Sequence, residues 1–266
     1  MTTAKREINL KKIALPQEHG SWGYTLEPVF LGLLTVFSFD GLILGIAAMA
    51  AFMSRNPLKI WFKERKSTKN RIKARYAGNF SIFYLILSSI GFGYVLLFVG
   101  QMMLVPMVMV FPFIIVYVIF DASNQAKSLL PELSGAAAFA MMGSLIAMAG
   151  GWIIFDALFL WVISMGRSVT TTLYVRTRLN LRRNEETQIG FQRMTHSAVI
   201  MIFFVLYLIK KIPLLAVIGV IILTVRSETG ILPVFRQQLP KSIGVQEFIF
   251  GAVYVSLVAA GYHFSI

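Results

Sequence analysis

Apolar and polar positions along this chain are segregated into long blocks, not into the short periods of a soluble fold. Runs dominated by Leu, Ile, Val, Phe, Ala and Met cover roughly 21–38, 41–62, 78–99, 101–120, 131–150, 152–175, 194–210, 212–226 and 244–264. Most are about 18–25 residues long, enough to cross a hydrocarbon layer of about 30 Å as an α-helix. The pattern predicts an all-α, polytopic transmembrane helical bundle of about nine spans. It reads as a single integral membrane domain over 1–266, with 1–14 as a basic tail. The seventh and eighth runs are short and flank Lys210-Lys211-Ile212-Pro213, so one broken element is the alternative to two helices there.

Composition sharpens this picture. Hydrophobic residues make up 57% of the chain, charged residues 14%, and mean hydropathy is +0.72, whereas a soluble domain is about a quarter charged. There is no cysteine, which excludes disulfides, thiolate chemistry and Cys-ligated metals. No metal site and no cofactor is expected. The polar stretch 1–12 has no apolar core of a signal sequence, so no cleaved signal peptide is expected.

The formal charge of +13 changes the picture only through its distribution. Basic residues sit in the short connections between apolar runs. With a cytoplasmic N-terminus, all of the 25 lysines and arginines except Lys210 and Lys211 fall on the cytoplasmic side of the nine-span arrangement. That is the signature of membrane orientation, not of nucleic-acid binding. The expected partner is a lipid bilayer, with no nucleic acid, the N-terminus inside and the C-terminus outside.

Three polar clusters fall on that same face. The first is Leu15-Pro16-Gln17-Glu18-His19-Gly20-Ser21-Trp22, followed by Glu27-Pro28. Trp22 and Tyr24 fit an interfacial aromatic belt. Glu27 lies within an apolar run, where an ionisable group normally has a partner or a task. The imidazole of His19 beside a carboxylate could move a proton, so Glu18, His19 and Glu27 are the candidate acid/base groups. The second cluster is Arg55, Asn56 and Lys59, closing the second run; snorkelling of cations to the interface is its plainer reading. The third is a helical stripe of Arg167, Thr171, Tyr174 and Arg178, with Arg176 beside it. Guanidinium forks interleaved with hydroxyls suit phosphate or diphosphate oxygens. The same stripe could instead neutralise Glu27, Glu132 or Asp156 within the protein.

The phrase Leu15–Trp22 with Glu27-Pro28 resembles the opening of the YwiC-like family of bacterial integral membrane proteins. Ser54-Arg55-Asn56-Pro57-Leu58 and Tyr174-Val175-Arg176-Thr177-Arg178-Leu179 are also similar to that family. The resemblance implies a bacterial cytoplasmic membrane location. A looser similarity, to the UbiA superfamily of membrane prenyltransferases, implies nine helices with functional loops after the second and sixth. The Asp-rich motifs that hold Mg²⁺ in that superfamily are missing here, and Arg55-Asn56 and Arg167–Arg178 stand in their places.

These features give one leading expectation. A UbiA-like bundle holds an amphipathic isoprenoid-like or lipid anion, of the prenyl diphosphate or quinone-precursor class, in a cytoplasmic-face pocket. Arg55, Asn56, Lys59, Arg167, Thr171, Tyr174, Arg176 and Arg178 would bind it, as in a metal-independent prenyltransferase-like enzyme. The alternative is a small transporter or a non-catalytic accessory membrane protein of a respiratory or lipid pathway.

Overall fold

The structure, a computed structural model, describes residues 9–16, 19–67, 70–123, 125, 128–235 and 237–265, with backbone only at 19–21 and 122. Glu18 therefore lies outside the described residues, as does the side chain of His19. The described chain is all helical: α1 Leu10–Ala14, α2 His19–Thr35, α3 Phe39–Glu64, α4 Arg71–Phe98, α5 Leu104–Ala122, α6 Leu129–Ala149, α7 Ile154–Arg183, α8 Ile189–Leu208, α9 Leu214–Gly230 and α10 Pro240–Phe264.

Helices α2 to α10 fall on the nine apolar runs in order. The differences lie at the ends. α4 begins at Arg71 and α7 runs on to Arg183, because i→i−4 hydrogen bonding continues past the apolar block once a helix is nucleated. The seventh and eighth runs are separate helices. Lys210 takes a left-handed conformation (φ 58°), and Pro213 then supplies the cap residue of α9. Among the described residues, seven helices (α3, α4, α5, α6, α7, α8 and α10) are long and apolar enough to cross a membrane. The other two, α2 and α9, have 17 residues each, about 25 Å at 1.5 Å per residue.

Polar contacts between helix ends sort those ends into two groups. In one group the Tyr94 hydroxyl donates to Asp40 at 3.0 Å, Lys211 lies 3.5 Å from Asp156, and His263 Nε2 lies 2.7 Å from the Leu34 carbonyl. In the other, Lys59 meets Asp121 at 2.6 Å, Arg176 meets Glu132 at 2.8 Å and Arg193 meets Glu228 at 2.7 Å. This pairing fits an alternation of direction from α2 to α10.

Small residues decide the centre. α6 is buried along most of its length through Ala136, Ala137, Ala140, Gly143, Ser144 and Ala147, and it packs on α2, α3, α5 and α7. At the α2–α6 crossing a Cβ on Gly32 would stand 2.8 Å from Ile146 Cβ and 2.9 Å from the Gly143 carbonyl oxygen. Only glycine permits so close an approach. One apolar cluster joins α2 to α3–α6 through Leu44, Val95, Met141, Leu145 and Ile146. Another joins α2 to α7–α10 through Leu31, Leu160, Phe203, Val220 and Val258. α2 thus belongs to both. By contrast α4 and α5 turn large apolar side chains outward, Leu97 (80% exposed) and Val108 (67%) among them, as a lipid-facing surface does.

Candidate functional site

The polar stripe of α7 faces inward, where it meets α2, α9 and α10. Helical periodicity places Arg167, Thr171, Tyr174 and Arg178 on one side of α7, and all of them are buried. Arg167 is the hub. Its Nη2 lies 3.3 Å from Glu27 Oε1 on α2 and donates to the Glu247 carbonyl on α10 at 3.0 Å. Its Nη1 lies 3.7 Å from Glu247 Oε2. Gly251 on α10 makes room for this pair, since a Cβ there would collide with the Glu27 carboxylate and come within 3.2 Å of Arg167 Nη2.

Around that hub the network widens. Glu247 also accepts from Arg226 of α9, whose guanidinium lies over the Tyr174 ring at 4.3 Å and the Phe250 ring at 5.2 Å. Arg178 donates to the Tyr174 hydroxyl and the Gln238 amide oxygen, and to Gln246 Oε1 at 3.1 Å. Tyr24 is hydrogen-bonded to Thr172 at 2.7 Å. Three guanidinium groups and two carboxylates are thus drawn into one interior cluster, and in such surroundings every charge depends on its partners.

A cavity of about 410 Å³ opens onto this cluster between α2, α7 and α10. That lies toward the lower end of the roughly 300–1,000 Å³ typical of ligand pockets. Its inner wall is Tyr24, Glu27, Arg167, Ser168, Thr171 and Glu247; its outer part is Val175, Leu179, Pro240, Lys241, Ile243 and Phe248. The outer part lies where α7 approaches its end and α10 begins. Beyond Glu27 and Arg167 there is a further void of only about 10 Å³, lined in part by Leu31, Tyr254 and Val255, and Leu160 and Val258 belong to the same buried apolar cluster as these three.

Of the residues singled out in the sequence, Glu27, Arg167 and Thr171 line this cavity, and Tyr174 and Arg178 stand directly behind it. Arg176 is spent on Glu132. Arg55, Asn56 and Lys59 lie apart on α3. Arg55 (3.7 Å) and Lys59 share Asp121 of α5, and Arg55 lies over the Tyr117 ring at 5.1 Å. The Asn56 amide donates to the carbonyls of Lys12, Ile13 and Leu15 at 2.9–3.1 Å, tying down the end of α1. The anion that answers Arg55 is thus a carboxylate of the protein.

Sequence reasoning missed Glu247, read Tyr24 only as part of an aromatic belt, and gave Arg226 no role. Glu247 carried the same signal as Glu27, a lone carboxylate just inside an apolar run.

The fold and this cluster define a multi-pass helical membrane protein with a charged internal cavity. Residues 15–147 match the family model described as YwiC-like protein; that is half of the 266 residues, and the chain belongs to this family. No curated protein and no solved structure matches the chain, so its helix arrangement rests on the contacts above and not on a likeness to UbiA prenyltransferases. The family match ends within α6; α7 and α10, which supply most of the cavity lining, lie beyond it.

Proposed function

We propose that this protein is a nine-span membrane protein whose cavity binds an amphipathic anion from the cytoplasmic side. α2 and α9 complete the nine spans, each being close to the shortest helix that crosses a bilayer. The whole chain forms one membrane domain, with the N-terminus cytoplasmic and the C-terminus outside. The segregation of lysine and arginine supports this orientation. It puts the mouth of the cavity, at Leu179, Pro240 and Lys241, at the cytoplasmic interface.

The observation that carries the reading is the pairing of two chemistries in one cavity. Arg167 and Thr171 lie buried at its inner wall, and an apolar lining of Val175, Leu179, Ile243 and Phe248 leads outward from them. An anionic head would take the former and an isoprenoid-like or acyl tail the latter. Prenyl diphosphates and the aromatic carboxylates of quinone assembly belong to this ligand class. Glu27 is committed to Arg167, so its first role is to hold that guanidinium in place. The apolar cluster around Leu31 and Leu160, with a void of only about 10 Å³ beside it, favours a binding pocket over a transport path.

Native mass spectrometry of the full chain extracted in mild detergent tests this. An amphipathic anion should travel with the wild type and fall about tenfold in Arg167→Gln, the loss expected for a charge-assisted contact. Equal retention in both proteins, or recovery of neutral lipid alone, would overturn the proposal.

A further inference from the structure

The charge balance and the unmatched polar atoms of the cavity specify the head group more closely. Arg167, Arg178 and Arg226 are each 7% exposed or less. The carboxylates facing them are those of Glu27 and Glu247, at 18% and 12%. With both carboxylates ionised, the cluster carries one positive charge in excess among the described residues, held at Arg178 behind the cavity wall, while the wall itself balances Arg167 and Lys241 against Glu27 and Glu247. The oxygens that receive Arg178, on Tyr174, Gln238 and Gln246, are neutral and supply no charge. Lys241 adds a further cation at the mouth, but it is exposed and water screens it. An uncompensated buried charge is costly in a membrane interior.

Unmatched atoms point the same way. Thr171 is 7% exposed and lines the cavity, and its hydroxyl has no hydrogen-bond partner among the described residues. Arg167 Nε is likewise an unmatched donor, and Nη1 has only its 3.7 Å ion pair with Glu247. On the opposite wall Glu247 Oε1 is a buried acceptor without a donor. About two turns toward the mouth, α10 begins at Pro240, and the positive end of its dipole favours negative charge there. The complement of this set is one compact group with anionic oxygens for Arg167 and Thr171 and little further charge, because Glu27 and Glu247 repel any excess.

Resting on the binding reading above, we propose that the head is a single-centre anion, a phosphate monoester or a carboxylate, and not a diphosphate. A phosphate monoester carries about −1.5 to −2 at neutral pH, and its protonated form also offers an O–H to Glu247. A diphosphate brings more charge than one surplus cation and an exposed lysine balance, against two fixed carboxylates. A carboxylate answers the surplus one to one.

The test uses four probes on one tail: geranyl phosphate, geranic acid, geranyl diphosphate and geraniol. Each is titrated calorimetrically, without divalent metal, into the full chain reconstituted in nanodiscs. The phosphate monoester or the carboxylate should bind at least about tenfold more tightly than both the diphosphate and the alcohol. Thr171→Val, which keeps the volume and removes the hydroxyl, should weaken the tighter of the two about tenfold. A diphosphate that binds as tightly as either single-centre anion overturns this inference and leaves the anion-binding reading standing. Geraniol binding as tightly as the anions, or no binding by any probe, overturns both. A Thr171→Val protein that binds like the wild type overturns the assignment of the head to this wall.

Discussion

At the scale of residues, the protein separates two kinds of ion pair that look alike in sequence. Glu27 and Arg167 meet in the interior, with side chains 18% and 4% exposed, whereas Lys59 and Asp121 meet where the lysine is 51% exposed. Removing one partner of a buried pair leaves the other charge stranded and costs about 3–5 kcal/mol. An exposed pair contributes about 0–1 kcal/mol. Glu27→Gln should therefore lower the thermal midpoint in detergent by many degrees, and Lys59→Gln by very little. Equal midpoints for the two variants would show that the Glu27–Arg167 contact does not hold α2 against α7.

At the scale of elements, close helix approach is what brings α2 to the cluster. Gly32 lies on α2 little more than a turn from Glu27 and touches the backbone of α6 at Gly143. Gly32→Ala would push these helices apart and should cost about 1–3 kcal/mol, as overpacking does elsewhere. Gly93 on α4 is the control, since a Cβ there meets nothing within 4 Å. Gly93→Ala should be neutral or stabilising by about 0.5–1 kcal/mol, through the lower backbone entropy of alanine in the unfolded chain. Thermal unfolding of both variants, with chemical denaturation alongside, checks the contrast; similar losses at the two sites would refute the close crossing. α7 makes the complementary point. Its 30 residues carry the buried arginine and threonine stripe inward and extend it beyond the apolar run.

At the scale of the molecule, orientation decides what the cavity can reach. The alternation of helix directions is built into contacts such as His263 with Leu34 and Arg193 with Glu228. The side on which the basic connections lie then sets the mouth of the cavity. A C-terminal alkaline phosphatase fusion should be active and a C-terminal green fluorescent protein fusion dark in a bacterial host. The reverse pattern would place the cavity mouth on the outer face and refute a cytoplasmic supply of ligand.

The sequence by itself determined the class and the order of the parts. Block hydropathy specified the nine long helices, because apolar length is a local property that needs no knowledge of neighbours. Charge asymmetry specified their expected orientation for the same reason. It also marked Glu27, Arg167 and Thr171, since a polar group inside an apolar run is conspicuous wherever the run packs. Only the tertiary structure decided which polar groups meet. The charge pattern grouped Arg55, Asn56 and Lys59 with Arg167, yet Asp121 and the end of α1 occupy them. Glu247 and Arg226, some 60 to 80 residues along the chain from Arg167, complete the cluster instead. Membrane depth can be read along one helix, but azimuth cannot. Which faces of α2, α7, α9 and α10 turn toward one another follows from where glycine and alanine allow backbones to approach, and that is settled between helices, not within them.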